Sequence, residues 1–352
     1  MKKKKTLRET TLLARIAIAA AALAALLAPA PAVAKKPAIS CGDVVTGAVK
    51  LKSDLVDCPG DALIVGADDV TIDLEGHTID GTGAGAFHVG INNEAGHDGL
   101  AVRNGTIQEF FKAISSGLPG STADGGRVRN VLFLHNRFGM TAFGDGNRLC
   151  RNAAIGPGGP ASSGGISVSG NGNWLLGNTV IGTNEALVAN GSDNDVERNV
   201  SSGNEVGIAA GVATGSDVEH NSITGSSATG ILLNDFDGGD VSRNLVANGA
   251  ANGIDVLLGS EGNRIRRNAV LSNAGTGIFI EPGSAANVLE RNVASDNGVD
   301  GVTVLDPLTL LVRNAANGNG GYGFQAVPGT LGGNNRAHGN GSPAQCLNVS
   351  CK

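Results

Sequence analysis

Val196-Glu197-Arg198-Asn199 returns as Val218-Glu219-His220-Asn221, Val241-Ser242-Arg243-Asn244, Ile265-Arg266-Arg267-Asn268, Leu289-Glu290-Arg291-Asn292 and Leu311-Val312-Arg313-Asn314. An aliphatic residue, two variable positions and an Asn make one phrase. With Leu149–Asn152 and the looser copies around Asn130 and Asn178, its spacing is 21 to 26 residues. A period of that size marks stacked structural repeats.

Outward from the phrase the rest of the repeat is regular. Gly207-Ile208, Gly230-Ile231, Gly253-Ile254, Gly277-Ile278, Gly301-Val302 and Gly323-Phe324 form one column. Two residues on stand Ala210, Leu233, Val256, Ile280, Val304 and Ala326. Apolar residues two apart follow the strand period. A third apolar pair follows the Asn, as in Leu245-Val246 and Val293-Ala294. Each repeat therefore reads as three short strands separated by Gly, Asn, Ser and Asp turns.

One such triplet cannot bury its apolar side alone. Stacked at about 4.8 Å, each strand can pair in parallel with its equivalent one turn later. The chain must then coil around an axis, right-handed by the strand-twist rule. The expected fold is all-β, a right-handed parallel β-helix with three short strands per rung. About eleven rungs at about 4.8 Å make a rod of roughly 50 Å. The Asn column is expected to serve the sharp corners, where Asn tolerates a left-handed backbone, and to form amide ladders between rungs. Aromatic residues make up 3% of the chain, as a narrow lumen of superimposable rungs requires.

The ends carry different signals. Lys2 to Lys5, Arg8 and Arg15 precede the short apolar run Ile16–Ala28, and Ala32-Val33-Ala34 supplies a small-residue cleavage pattern. This reads as an export signal cleaved after Ala34. No later run is long and apolar enough to insert the mature chain into a membrane. Loss of residues 1–34 removes six Lys/Arg and one Glu, taking the net charge from −6 to −11. So acidic a protein has no electrostatic reason to seek nucleic acid. It would also repel polyuronates, unless a local basic patch or a bound cation intervened. All five cysteines lie in the exported part. In an oxidising compartment, Cys41 with Cys58 and Cys346 with Cys351 are the local pairings, one at each end, although spacing alone does not fix connectivity. Cys150 is left over.

The chain resembles the right-handed parallel β-helix repeat proteins of the pectin-lyase-like fold, and among them the exported NosD-type relatives. The stretch Val70-Thr71-Ile72-Asp73-Leu74-Glu75-Gly76-His77-Thr78-Ile79 and the repeated V-x-R-N and N-G-x-x-G-I rungs carry the likeness. It covers roughly residues 41–351. Cys41-Gly42, Cys58-Pro59-Gly60 and Gln345-Cys346 with Cys351 look like the end caps of such proteins. The expected organisation is a signal over 1–34, an N-terminal segment and cap over 35–69, the β-helix over 70–337 and a C-terminal cap over 338–352. This architecture hosts lyases, hydrolases, epimerases and adhesins, so activity must be argued from a site.

By the same resemblance, ligands lie along one outward sheet face, and the Gly-Ile strand is the candidate. Its outward residues read Leu232, Asp255, Phe279 and Thr303, then Asn234, Leu257, Glu281 and Leu305, with Asp235, Asp237 and Asp306 in turns. Asp255 and Glu281 fall one rung and two residues apart, roughly 8 Å between Cα atoms. They are the candidate catalytic pair, since carboxylates can flank a sugar and a water. The plainer alternative is solvated surface acids. Asp235, Asp237 and Asp306 offer oxygen ligands of the kind Ca²⁺ takes. Phe236 and Phe279 are the aromatic candidates for a sugar platform, whereas Trp174 reads as partly buried packing. An epimerase-like site would pair Tyr322 with a His, and His338 alone is near it in sequence. A copper site would have to gather the scattered His77, His88 and His97. The expected role is carbohydrate binding or scaffolding, with polysaccharide as partner, in the periplasm, the cell envelope or the medium. A polysaccharide lyase or hydrolase is the alternative.

Overall fold

The structure, a computed structural model, describes residues 39–157 and 163–352. The export signal expected over residues 1–34 lies outside them. Among the described residues every element is a strand, from Asp43–Val45 to Cys346–Leu347, and none is a helix.

Strands pair with the strand one turn on. In the front sheet Ile208 faces Ile231, Ile231 faces Ile254, Ile254 faces Ile278 and Ile278 faces Val302, all in parallel. This sheet holds 14 strands in chain order, so the coil makes about thirteen turns. The sequence phrase indicates about eleven because the first turns do not carry it. Asp43–Val45 and Leu63–Val65 already pair in the front sheet, yet no V-x-x-N phrase marks them. Two further stacks complete each rung. On the second face Val196, Val218, Val241, Ile265, Leu289 and Leu311 follow one another in register. On the third, Ile223, Val246, Val270, Ala294 and Ala316 do the same.

The aliphatic columns meet in the lumen. Ile208, Ile231, Ile254 and Ile278 are fully buried, and so are Val218, Val241, Ile265 and Leu289. Each such side chain contributes about 1.5–3 kcal/mol by leaving water. Glycine opens the Gly-Ile column for a steric reason. A Cβ on Gly230 would lie 2.2 Å from Val246 Cγ1 and 2.6 Å from the carbonyl oxygen of Gly253.

The Asn of the phrase is buried and forms the expected ladder. Asn152, Asn178, Asn199, Asn221, Asn244, Asn268, Asn292 and Asn314 each donate a side-chain N–H to the Oδ1 of the Asn one rung on. Its expected left-handed backbone belongs to the neighbouring residue instead. Arg151, Arg198, His220, Arg243, Arg267, Arg291 and Arg313 hold φ between 54° and 58°. The corner needs one residue turned out and one turned in, and the inward one makes the hydrogen bonds. Asn130 likewise belongs to the left-handed column, φ 54°, and Val131 occupies the inward site and donates to Asn152 Oδ1.

Each end of the described coil carries a disulfide. Cys41 is bonded to Cys58, and Cys346 to Cys351. A second Asn ladder runs through Asn297, Asn319 and Asn340 and stops on Gln345 Oε1. The last strand of the third face, Arg336–His338, is covered by Lys352, whose carbonyl accepts from Ala337 N and whose N–H reaches Asn335.

Candidate functional site

Residues on the outer side of the front sheet align in columns from rung to rung. The central one runs Asn92, Ser115, Thr141, Ser167, Val188, Ala209, Leu232, Asp255, Phe279, Thr303 and Gln325. Its character changes along the axis: polar, then apolar, then polar again.

The N-terminal third carries the feature that sequence reading missed. Phe87, Phe111 and Phe138 come from three successive turns and touch in a row beside the strands, the first pair tilted at 49° and the second edge-to-face at 66°. Ring centroids lie 4.7 Å apart for Phe87–Phe111 and 5.4 Å for Phe111–Phe138. The Arg137 guanidinium sits 5.3 Å from the Phe111 ring and 5.9 Å from Phe138, within cation–π range. Phe87 is 78% exposed in a chain with nine Phe. Polar groups flank the rings: Lys112 Nζ donates to Glu94 and Ser115, and Asn92 Nδ2 to Asp61. The signal available in sequence was Phe110-Phe111-Lys112 and Arg137-Phe138, but neither falls in the repeated phrase.

Clefts open at both ends of this row. At one end a cleft of about 600 Å³ is lined by Asp61, Ile64, Phe87 and His88. At the other a cleft of about 400 Å³ is lined by Phe138, Thr141, Ser167, Glu185, Val188 and Glu205. A third, of about 590 Å³, shares Glu185 and Val188 and continues over Ala209, Leu232, Asn234 and Asp235. The first cleft is separate from the other two, which join at Glu185 and Val188. Two buried polar atoms on the walls of the joined pair, Thr141 Oγ1 and Asn234 Oδ1, have no hydrogen-bond partner among the described residues. Six other buried side-chain atoms, among them Asn147 Nδ2, Asn173 Nδ2 and Ser284 Oγ, are likewise without a partner away from these clefts.

Asp255 and Phe279 stand in the central column, as the repeat indicates, with Phe279 half-buried. Asp255 is buried rather than solvated. Its carboxylate accepts from Thr229 Oγ1 at 2.7 Å and Asn252 Nδ2 at 2.8 Å. Burial pushes its pKa above the usual Asp value, against the pull of those two donors. Glu281 is spent elsewhere, accepting the Leu258 N–H at 2.9 Å. Asp235 is exposed, Asp237 accepts the Glu261 N–H, and Asp306 is buried and accepts the Leu308 N–H. Asp306 lies three rungs from Asp235, roughly 14 Å along the axis. No group of three or more His, Cys, Asp or Glu able to hold a metal occurs among the described residues.

Phe236 does not face out. It is fully buried, because the left-handed Asp235 (φ 51°) interrupts the strand alternation and turns Phe236 into the lumen opposite Ala213. Trp174 is 41% exposed on the second face, with the Arg148 guanidinium 4.8 Å from its ring. Tyr322 lies before a front-sheet strand, whereas His338 is on the third face, so the two do not form a pair. His77 bonds to Asp54 and His97 pairs with Asp68, each separately.

The coil and its clefts place the chain within a recognised class. Residues 120–270 and 185–341 match the family described as right handed beta helix region, and the chain belongs to that family. Among solved structures it is similar to the periplasmic alginate epimerase AlgG, at 14% identity and a TM-score of 0.50, over 88% of this chain and 79% of that one. It is also similar to the tailspike protein of E. coli bacteriophage HK620 in complex with pentasaccharide, at 12% identity and a TM-score of 0.52, over 84% of this chain. The chain spans 59% of that tailspike's length. These identities establish likeness of fold. No curated protein sequence matches the chain significantly.

Proposed function

We propose that the protein is a polysaccharide-binding β-helix of the periplasm, cell envelope or medium, which holds an extended glycan along the front sheet. The Phe87–Phe111–Phe138 row carries this reading. One exposed ring, Phe87, continued by the half-buried Phe111 and Phe138 and by clefts with unpartnered hydroxyl and amide oxygens, offers a surface for sugar rings and their hydroxyls. The acids along this face, Asp61, Glu94, Glu185, Glu205 and Asp235, outnumber Lys112 and Arg137, so a neutral glycan fits better than a polyuronate. Two disulfides and the expected export signal support an oxidising location. Two proteins of like fold, an alginate epimerase and a tailspike held with a pentasaccharide, are by name concerned with saccharides.

Asp255 favours one second reading, a lyase or hydrolase. A buried carboxyl with a raised pKa is suited to act as a general acid. Against this, both of its oxygens already accept hydrogen bonds from Thr229 and Asn252, and Glu281 is engaged with Leu258 N.

One experiment separates the two. The purified protein is screened on a glycan array and incubated with a polysaccharide panel, with and without Ca²⁺. Binding to at least one neutral glycan is expected, weakened at least about tenfold, or about 1.4 kcal/mol, in Phe87→Ala/Phe111→Ala/Phe138→Ala at unchanged melting temperature. No array signal, or equal binding by the triple variant, removes the proposal. Turnover abolished by Asp255→Asn would establish the enzyme instead.

A further inference from the structure

A second surface lies on the corner between the second and third faces, away from the front sheet. Arg198, His220, Arg243, Arg267, Arg291 and Arg313 occupy the left-handed column in six consecutive rungs, all of them exposed. Rung-to-rung backbone bonds fix the spacing: Arg243 N donates to Arg266 O, and Arg267 N to Glu290 O. The result is a row of five guanidinium groups and one imidazole about 4.8 Å apart on a rigid edge.

The choice of residue is informative. A left-handed backbone is costly for most L-residues and natural for Gly or Asn. Other rungs use those residues here: Asn104, Asn130, Gly177 and Asn334. From 198 to 313 the chain instead places five Arg and one His there, so the side chain rather than the turn accounts for the choice.

The row is not neutralised along its whole length. Glu197 pairs with Arg198, Glu219 lies beside His220, and Glu290 lies near both Arg291 and Arg313. In the middle the position before the Arg is Ser242 in one rung and Arg266 in the next. Arg266 is drawn to Asp240 and Glu219. Among the described residues no carboxylate lies within ion-pair distance of Arg243, Arg264 or Arg267. Immediately beyond the corner the exposed Val200, Leu245 and Val293 alternate with Ser222 and Ala269 in one column, placing a large apolar side chain beside every second rung of the basic row.

We infer that this edge binds a linear anionic polysaccharide, with its carboxylates or sulfates answered by the guanidinium groups of the row, centred on Arg243 and Arg267. Guanidinium forks suit both anions. The apolar side chains of the neighbouring column suit the C–H faces of the sugars. A nucleic acid fits less well. Phosphates on a duplex strand repeat at about 3.4 Å along the axis, out of step with the rungs. Single strands are held by aromatic stacking, and among the described residues no aromatic side chain lines this edge. The acidic front face disfavours the same polymer, so the two surfaces would take chemically different glycans.

The test uses fluorescent oligogalacturonate, dextran sulfate, neutral dextran and single-stranded DNA of matched length against the purified full chain. Retention of at least one of the two anionic glycans is expected at about 50 mM salt, falling steeply by about 200 mM, with none for dextran at this edge. Arg243→Asn/Arg267→Asn/Arg291→Asn should weaken it at least tenfold and reduce the log–log salt slope by about two. Asn is at ease in the left-handed region, so this variant should melt no lower than the parent. Arg243→Lys/Arg267→Lys/Arg291→Lys should keep the salt slope, and the triple Phe variant should bind as the parent does. No retention at low salt, equal binding by the Asn variant, or equal affinity for single-stranded DNA would overturn the inference.

Discussion

Asn244 donates through Nδ2 to Val218 O at 2.8 Å and to Asn268 Oδ1 at 3.0 Å, while its own Oδ1 accepts both N–H groups offered by Asn221. All of these atoms are buried, so water cannot replace a lost partner. Removing the side chain leaves the Val218 carbonyl, the Asn221 backbone N–H and the Asn221 amide each short of a partner. At about 1–3 kcal/mol for an unsatisfied buried group, softened by local relaxation, Asn244→Ala should cost about 3 kcal/mol. Urea denaturation would check this, and a loss below about 1 kcal/mol would mean that the ladder is ornamental. The exposed neighbour Arg243 should behave oppositely, since its side chain supports no internal contact. One phrase thus separates into an inward Asn that holds the rungs together and an outward Arg available for binding.

Strands of the second face carry a charge conflict that the repeat itself creates. Because equivalent residues stack in register, Asp195, Asp217 and Asp240 lie in one row, with Glu197 and Glu219 in the next. Burial, foremost, and then the neighbouring acids Glu197, Glu219 and Asp193 push the Asp195 pKa up. Burial does the same for Asp217, partly offset by the Asp240 N–H and reinforced by Asp195, Asp240 and Glu219. A carboxyl whose folded pKa is raised binds more protons folded than unfolded, so stability falls as pH rises from about 4 through the folded value. Asp195→Asn/Asp217→Asn should therefore raise the melting temperature near pH 7 and change it little near pH 4. A gain of the same size at both pH values would exclude the electrostatic cause. Asp73 works in the opposite sense. Donors led by Arg103 hold its pKa down despite burial, and its contribution is lost on acidification. At this scale the sequence is readable wherever the period is kept. The inward Ile208, Ile231, Ile254 and Ile278, the outward Asp255 and Phe279 and the Asn ladder all follow from counting residues. It becomes unreadable where a left-handed residue breaks the alternation, as Asp235 does before Phe236. It is unreadable too where side chains from irregular loops meet. Phe87, Phe111 and Phe138 share no phrase, and their contact depends on loop lengths that vary from turn to turn.

The molecule as a whole is a one-dimensional stack, in which each turn is supported only by its two neighbours. Its weakest points are therefore the first and last turns, where a sheet edge would otherwise be open. Residues 340–352 supply contacts that bear on that problem. Gln345 Oε1 ends the Asn297–Asn319–Asn340 ladder by accepting both N–H groups of Asn340. The Cys346–Cys351 bond ties this segment into a loop, and Lys352 completes the hydrogen bonds of Asn335 and Ala337. Cutting the chain after Ser342 would remove these contacts together, orphan the buried Asn340 amide and bare the strands Phe324–Ala326 and Arg336–His338. The lumen of the interior turns would be untouched. The truncated protein should keep its β-sheet circular dichroism, lose amide-exchange protection first in residues 323–341, and self-associate with rising concentration in sedimentation. Fraying should stop where neighbours on both sides are intact, so Asn244 and Asn268 should remain as protected as in the full chain. Global unfolding on truncation would show that the C-terminal segment supports more than the turn it covers. A monomer with unchanged exchange would show that the final turn closes its own edge.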